Sequence, residues 1–347
     1  MPTQIIDARV LLKSVSLNDL KQWAFPHWVL WATVLGLFVC NAIWVALSLR
    51  ISITPDWFTL NFTLIAGGFG GLLLRFYKGH MFDGILYRLW CLLMTCFMAA
   101  VLMGNLQVLN HLTMANSLPM ADERLLAWDR ALGLDWLAYA KFITSSNVAK
   151  FCLSTAYYSF TMGGLGAVAV ISIALNNRPR TLEIIFLVVS TALICILLAP
   201  FFPARGTMDL LSDTELRSRL PAHTGANFID QLLDLRGNSS LMFVPANMEG
   251  TAAYPSFHTC LGLILLWCSR GWWPTATLGA LIGAAIVAAT PVYGGHYFVD
   301  VLAGASILIL MVWLWRSKFA PHVVSHTDGD PVNSPALPAW MSKFRRS

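Results

Sequence analysis

The sequence predicts an all-α, polytopic membrane protein with eight transmembrane helices. Hydrophobic residues make up 57% of the 347 positions and charged residues only 12%, about half the charge of a soluble domain. The apolar residues gather into eight runs near the length that crosses a bilayer, and backbone in lipid must satisfy its hydrogen bonds within its own segment, which selects helices. The basic residues, finally, fall in alternate loops, as they do in chains that cross a membrane repeatedly.

The runs lie at roughly 28–49, 59–77, 86–109, 150–175, 181–202, 256–272, 274–291 and 296–316. Gly271-Trp272-Trp273-Pro274 separates the sixth from the seventh as a turn. Helices six and seven read as short. At 1.5 Å per residue, 256–272 reaches only about 25 Å, so its end would be recessed below the membrane surface. Residues 1–27 read as a cytoplasmic amphipathic segment, 28–85 as the first two helices, 86–320 as the other six, and 321–347 as a disordered cytoplasmic tail with Pro and Asp and a terminal Lys343-Phe344-Arg345-Arg346 suited to anionic lipid. No cleavable leader is evident, since the polar start runs to His27 and the first apolar run is long enough to span. No internal repeat is apparent.

Loops 75–88 and 176–181 are basic and 291–295 is uncharged, which puts both termini in the cytoplasm and the ends near His258 and His296 on the outward side, facing periplasm, lumen or exterior. The basic pI then reflects membrane orientation and not nucleic-acid binding. Two long loops face outward. In 110–149, Leu125, Leu126, Trp128, Leu132, Trp136 and Leu137 suggest one interfacial helix over Asp122–Lys141. In 203–255, helical stretches at Met208–Arg219 and Asn227–Leu235 suggest a cap over a site. The seven cysteines all lie in apolar runs, so neither a disulfide nor a Cys-x-x-Cys metal motif is expected. The glycines at 67–71, 163–166 and Gly279-x-x-x-Gly283 read as close helix packing.

The chemistry concentrates in Tyr254-Pro255-Ser256-Phe257-His258-Thr259 and Gly294-Gly295-His296-Tyr297-Phe298-Val299-Asp300. His296 and Asp300 are four apart, so on a helix they share a face, about 6 Å apart along the axis. A carboxylate-oriented imidazole is the arrangement of a nucleophile or base. Ser256 is a natural N-cap, and Gly294-Gly295 would let a second helix start approach closely; two converging helix N-termini offer N–H groups to phosphate. A bland reading makes these mere helix caps. Two histidines and an aspartate also match a metal facial triad, and an ionisable cluster at membrane depth also suits a proton-coupled lipid transporter. His27, His80, His111, His223, His322 and His326, in loops or at helix ends, are expected to be solvated.

Pro-Ser-Phe-His and His-Tyr-Phe-Val-Asp resemble the second and third signature motifs of the type 2 phosphatidic acid phosphatase superfamily, and most closely the branch that contains fungal inositol phosphorylceramide synthase, over roughly residues 86–316. The resemblance implies a phosphohistidine mechanism without metal or cofactor. His296 would be the nucleophile, Asp300 its orienting partner, and His258 the acid for the leaving oxygen. Ser256, Gly295 and nearby amides would bind phosphoryl oxygens. The partners implied are a phospholipid donor and a lipid alcohol or water. The sequence departs from the superfamily in lacking Lys-x6-Arg-Pro and in placing Thr290 where the phosphatases have arginine, six residues before the nucleophile. Arg205, in Phe202-Pro203-Ala204-Arg205-Gly206, is the candidate replacement cation. Transfer of a phospho-headgroup between lipids is favoured over hydrolysis of a lipid phosphate.

Overall fold

The structure, a computed structural model, describes residues 17–48, 51–77, 85–174, 178–210, 214–221, 224, 227–237, 241–243, 250–271 and 273–320. In chain order the helices are α1 (Leu17–Leu47), α2 (Pro55–Tyr77), α3 (Ile85–Ala115), α4 (Asp122–Ala131), α5 (Trp136–Ser145), α6 (Asn147–Thr155), α7 (Thr161–Ala174), α8 (Arg178–Leu198), α9 (Thr214–Ser218), α10 (Asn227–Gly237), α11 (Phe257–Cys268), α12 (Trp273–Tyr293) and α13 (Phe298–Leu314). A π-turn, Ala156–Phe160, joins α6 to α7. The protein is all-α apart from one parallel pair of three-residue strands, β1 (Ile51–Ile53) and β2 (Leu241–Phe243), in the register Ile51 to Leu241.

Among the described residues, seven helices are long and apolar enough to cross a membrane. The sixth apolar run, which is not among these seven, forms α11, whose 12 residues span about 18 Å, even shorter than the sequence indicates. The seventh run corrects the reading in the other direction: α12 has 21 residues and is full-length. The first helix also starts earlier than expected, since α1 takes in residues 17–27. Residues 1–16 and 321–347 lie outside the described residues.

The long loops fold back onto the bundle. The single interfacial helix expected over 122–141 is two helices, because the chain turns at Gly133 with φ +73 and Asp135 caps α5 by accepting the Ala138 N–H. Leu125 and Trp136 are buried in the protein, whereas Trp128, Leu132 and Leu137 stay exposed. From 203–255, Leu216 and Leu220 pack with Trp136, Tyr157 and Tyr293, and Leu232 and Leu235 pack with Ile51, Trp57 and Leu112. These loops therefore seat on the same end of the bundle that carries the histidines.

Small residues set the spacing beneath that end. A Cβ on Gly283 would collide with the Gly262 carbonyl, so α11 and α12 touch backbone to backbone, as the Gly279-x-x-x-Gly283 pattern implies. In the N-terminal half, α1, α2 and α3 are joined by buried asparagines. Asn105 Nδ2 donates to Asn61 Oδ1 at 2.7 Å, and Asn41 Nδ2 donates to the Asn105 carbonyl at 2.9 Å. His111 corrects another expectation: it is 2% exposed on α3, with Nδ1 2.9 Å from the Gln107 carbonyl.

Candidate active site

Two helix starts, α11 and α13, meet at the site. Ser256 is fully buried and caps α11, its Oγ accepting the Thr259 N–H at 3.3 Å. The Ser256 N–H donates to the Asp300 carbonyl at 3.0 Å, which ties the first motif to the second. A Cβ on Gly304 would collide with the Ser256 carbonyl, so the two helices are also in backbone contact one turn further on.

His296 is not on a helix. It sits in the turn before α13, whose N-cap is Tyr297. Asp300 is the N3 residue of a capping box, with Oδ2 accepting the Tyr297 N–H at 2.9 Å. The same oxygen lies 3.3 Å from His296 Nδ1. The four-residue spacing thus brings imidazole and carboxylate together through a cap, not through a shared helical face. Nε2 is therefore the ring nitrogen that does not face Asp300. Burial lowers the His296 pKa to about 4, a hydrogen bond to the Ala253 carbonyl opposing the shift only in part. The ring is therefore neutral, as a nucleophile needs, across the physiological range. The His258 ring lies with its centroid 6.4 Å from that of His296 and stacks on Tyr157 at 4.5 Å.

The N–H groups at the start of α13 are not open to a phosphate. Asp129, 1% exposed, accepts the Phe298 N–H at 2.9 Å through Oδ2 and the Val299 N–H at 2.8 Å through Oδ1. Its pKa is raised by burial, and these two donors only partly offset that. Asp122 holds the next loop: Oδ1 accepts from the N–H groups of Arg205 (3.0 Å) and Gly206 (3.1 Å) and from the Tyr297 hydroxyl (3.0 Å). The Thr207 N–H donates to the Gly295 carbonyl at 2.8 Å, and Gly206, at φ +81, lies where any Cβ would strike that carbonyl. Four buried polar atoms in these segments have no partner: Asp300 Oδ1 and the hydroxyls of Thr207, Thr251 and Thr259. Buried polar groups are normally paired, so these four atoms are groups that a polar ligand could satisfy.

A family model for the PAP2 superfamily matches residues 123–314. The chain belongs to the PAP2 superfamily. It is therefore a phosphatase- or phosphotransferase-type lipid enzyme with multiple membrane-spanning helices. The match begins at 123 and not at 86, so α3 lies outside it. Comparison with curated proteins and with solved structures found no match.

In this PAP2 chain the fold brings His258, His296, Asp300, Ser256 and Gly295 to one place. The backbone of Arg205 is there too, through the Asp122, Gly206 and Thr207 contacts. Thr290 is fully buried, with its hydroxyl on the Ile286 carbonyl at 2.8 Å. The expectation of two open helix N-termini is corrected by Asp129. Sequence reasoning passed over Asp122, Asp129 and Tyr157. The first two had a legible signal: seven residues apart, they share one face of a short helix.

Proposed function

We propose that the protein moves a phospho-headgroup from a phospholipid to a lipid alcohol through a phosphohistidine at His296, in the manner of inositol phosphorylceramide synthase. The observation that carries the reading is the His296 Nδ1 to Asp300 Oδ2 contact of 3.3 Å, with the His258 ring 6.4 Å away. Nε2 of His296 attacks phosphorus and the bond to the diacylglycerol oxygen breaks. His258 gives that oxygen its proton. In the return step His258 takes the proton of the acceptor hydroxyl, whose oxygen displaces the histidine nitrogen and frees the ring. Membrane lipids are thus the partners, and no cofactor is called for.

Transfer is preferred to hydrolysis on charge. A phosphomonoester brings nearly two negative charges and a phosphodiester brings one. Three carboxylates adjoin the motifs, Asp300 within the second and Asp122 and Asp129 reaching it from α4, while Thr290 stands at the arginine position. Arg124 lies over the Phe202 ring at 5.6 Å, and Arg236 donates to the Ser117 hydroxyl and carbonyl. Arg205 is the proposed phosphate cation, with Ser256 and Gly295 as further phosphate contacts. Superfamily membership itself favours the second reading, a lipid phosphate phosphatase.

Purified enzyme is to be offered phospholipid donors, with and without ceramide, diacylglycerol or polyprenol. The transferase gives a new phospholipid only with an alcohol present and retains activity in a chelator. Rapid phosphate release from a phosphomonoester without an alcohol would leave the phosphatase. The active site is further proposed to face outward, with both termini cytoplasmic. Leu132→Cys should react with an impermeant thiol reagent added outside and Lys318→Cys should not; the reverse labelling would invert the topology.

A further inference from the structure

The fourth span is not regular where it passes the histidines. The π-turn at Ala156–Phe160 interrupts it, a rare conformation found often at functional sites. Thr161 fixes the turn by donating its hydroxyl to the Tyr157 carbonyl at 2.6 Å. Tyr157 is the residue this turn presents to the site, and the PAP2 signature motifs do not include it.

Tyr157 stacks on one histidine and lies near the other. Its ring stacks on His258 with 4.5 Å between centroids and 22° between planes. Its hydroxyl lies 2.6 Å from the position a Cβ on Gly294 would take, and His296 Cδ2 lies 2.6 Å from the same point. Hydroxyl and Cδ2 are therefore at most twice that distance apart. Cδ2 is bonded to Nε2, whereas Nδ1 faces Asp300, so the ring atom nearest this shared point lies on the edge that carries Nε2. The adjacent Tyr158 has partners, the Thr224 hydroxyl at 3.2 Å and the Tyr293 carbonyl at 3.4 Å. The Tyr157 hydroxyl makes no hydrogen bond to a described residue. It is a donor near the Nε2 edge of the ring that bonds to nothing among the described residues.

We propose that the Tyr157 hydroxyl donates a hydrogen bond to a non-bridging phosphoryl oxygen as phosphorus joins His296 Nε2, on the side where Thr290 leaves the site without an arginine. This rests on the phosphohistidine reading above. A neutral donor at this place suits a phosphate with one negative charge, and a donor aimed at charge that develops in the transition state raises turnover more than substrate affinity.

The probe is orthovanadate, a mimic of a phosphoryl group in transfer, titrated into the full-length detergent-purified protein by calorimetry. Tyr157→Phe keeps the ring on His258 and removes only the hydroxyl. It should weaken vanadate binding on the order of 10- to 100-fold and lower kcat comparably with little change in KM. Tyr158→Phe should leave vanadate binding unchanged, and His296→Ala should abolish it. The melting midpoint without vanadate reports folding; if Tyr157→Phe melts early, Tyr157→His, a stacking ring with a shorter polar edge, provides the same comparison. Wild-type vanadate affinity in Tyr157→Phe, with binding lost in His296→Ala, overturns this proposal and leaves the phosphohistidine reading intact. No vanadate binding by the wild type removes both.

Discussion

The end of α11 that holds Trp267 and Arg270 and the end that holds Ser256 and His258 each adjoin a buried acid, and the two acids are satisfied differently. Glu183, 3% exposed, accepts from Arg270 at 2.7 and 2.9 Å, from Arg180 at 2.9 Å and from the Trp267 indole at 2.8 Å. Arg270 in turn lies over the Trp267 ring at 4.0 Å. Opposite charge surrounds this acid and ties α8 to α11. Asp300, fully buried, has no arginine or lysine on it among the described residues. It holds a backbone N–H and a neutral imidazole and leaves Oδ1 unpaired. A carboxylate matched by guanidinium groups is a clamp. One matched by a ring that can still accept phosphorus keeps its neighbour usable.

That contrast can be broken most severely at the His296–Asp300 pair. His296→Ala should abolish turnover, and Asp300→Asn should lower it by about 10²–10⁴-fold by freeing the ring's orientation. Melting midpoint and turnover are measured together. Near-normal turnover in Asp300→Asn would reduce the aspartate to a helix cap.

Asp129→Asn tests whether the site end depends on its caps. An amide has one oxygen for two N–H groups and turns an NH₂ toward the other, at a cost of about 1–3 kcal/mol. A shifted α13 start should slow turnover by roughly 10- to 100-fold, since small misplacements of reacting groups are costly. Unchanged turnover would put Asp129 in the same class as Glu183.

The pH dependence sharpens the comparison further. Free histidine titrates near 6.5 and His296 only at about 4. Between these values the unfolded chain binds the extra proton, so this contribution to stability is complete above about pH 6.5 and is lost as the pH falls toward 4. The melting midpoint of wild type should decline across that window more steeply than that of His296→Asn. Equal slopes would mean that the ring is not held neutral.

The smallest effect on chemistry is expected at the clamp. Glu183→Gln leaves Arg180 and Arg270 without a counter-charge and should cost about 1–3 kcal/mol, less than a fully buried pair would, because the Arg270 side chain is 38% exposed. Turnover per folded molecule should stay within about twofold. A loss comparable to that of Asp300→Asn at equal stability would erase the distinction between the two ends.

The amino-acid sequence by itself determined the helical bundle, the close packing at Gly279 and Gly283, and the residues that converge on the site. Apolar run length and small-residue spacing are local properties, and the motifs carry His258, Ser256, His296 and Asp300 within a few residues of their helix starts. It did not reveal that His296 precedes its helix, because four-residue spacing fits a helical face and a capping box equally well. Only the tertiary structure decided which groups satisfy the N–H groups of α13. Asp129 reaches them from 169 residues away in the chain and Asp122 reaches Tyr297 from 175. Such partners are chosen by how α4 folds back over the bundle, since a buried donor is satisfied by whichever acceptor the packing delivers, and no local pattern encodes that. Tyr157 is the same case: its place on His258 and near His296 comes from a π-turn in one helix meeting the turn before another.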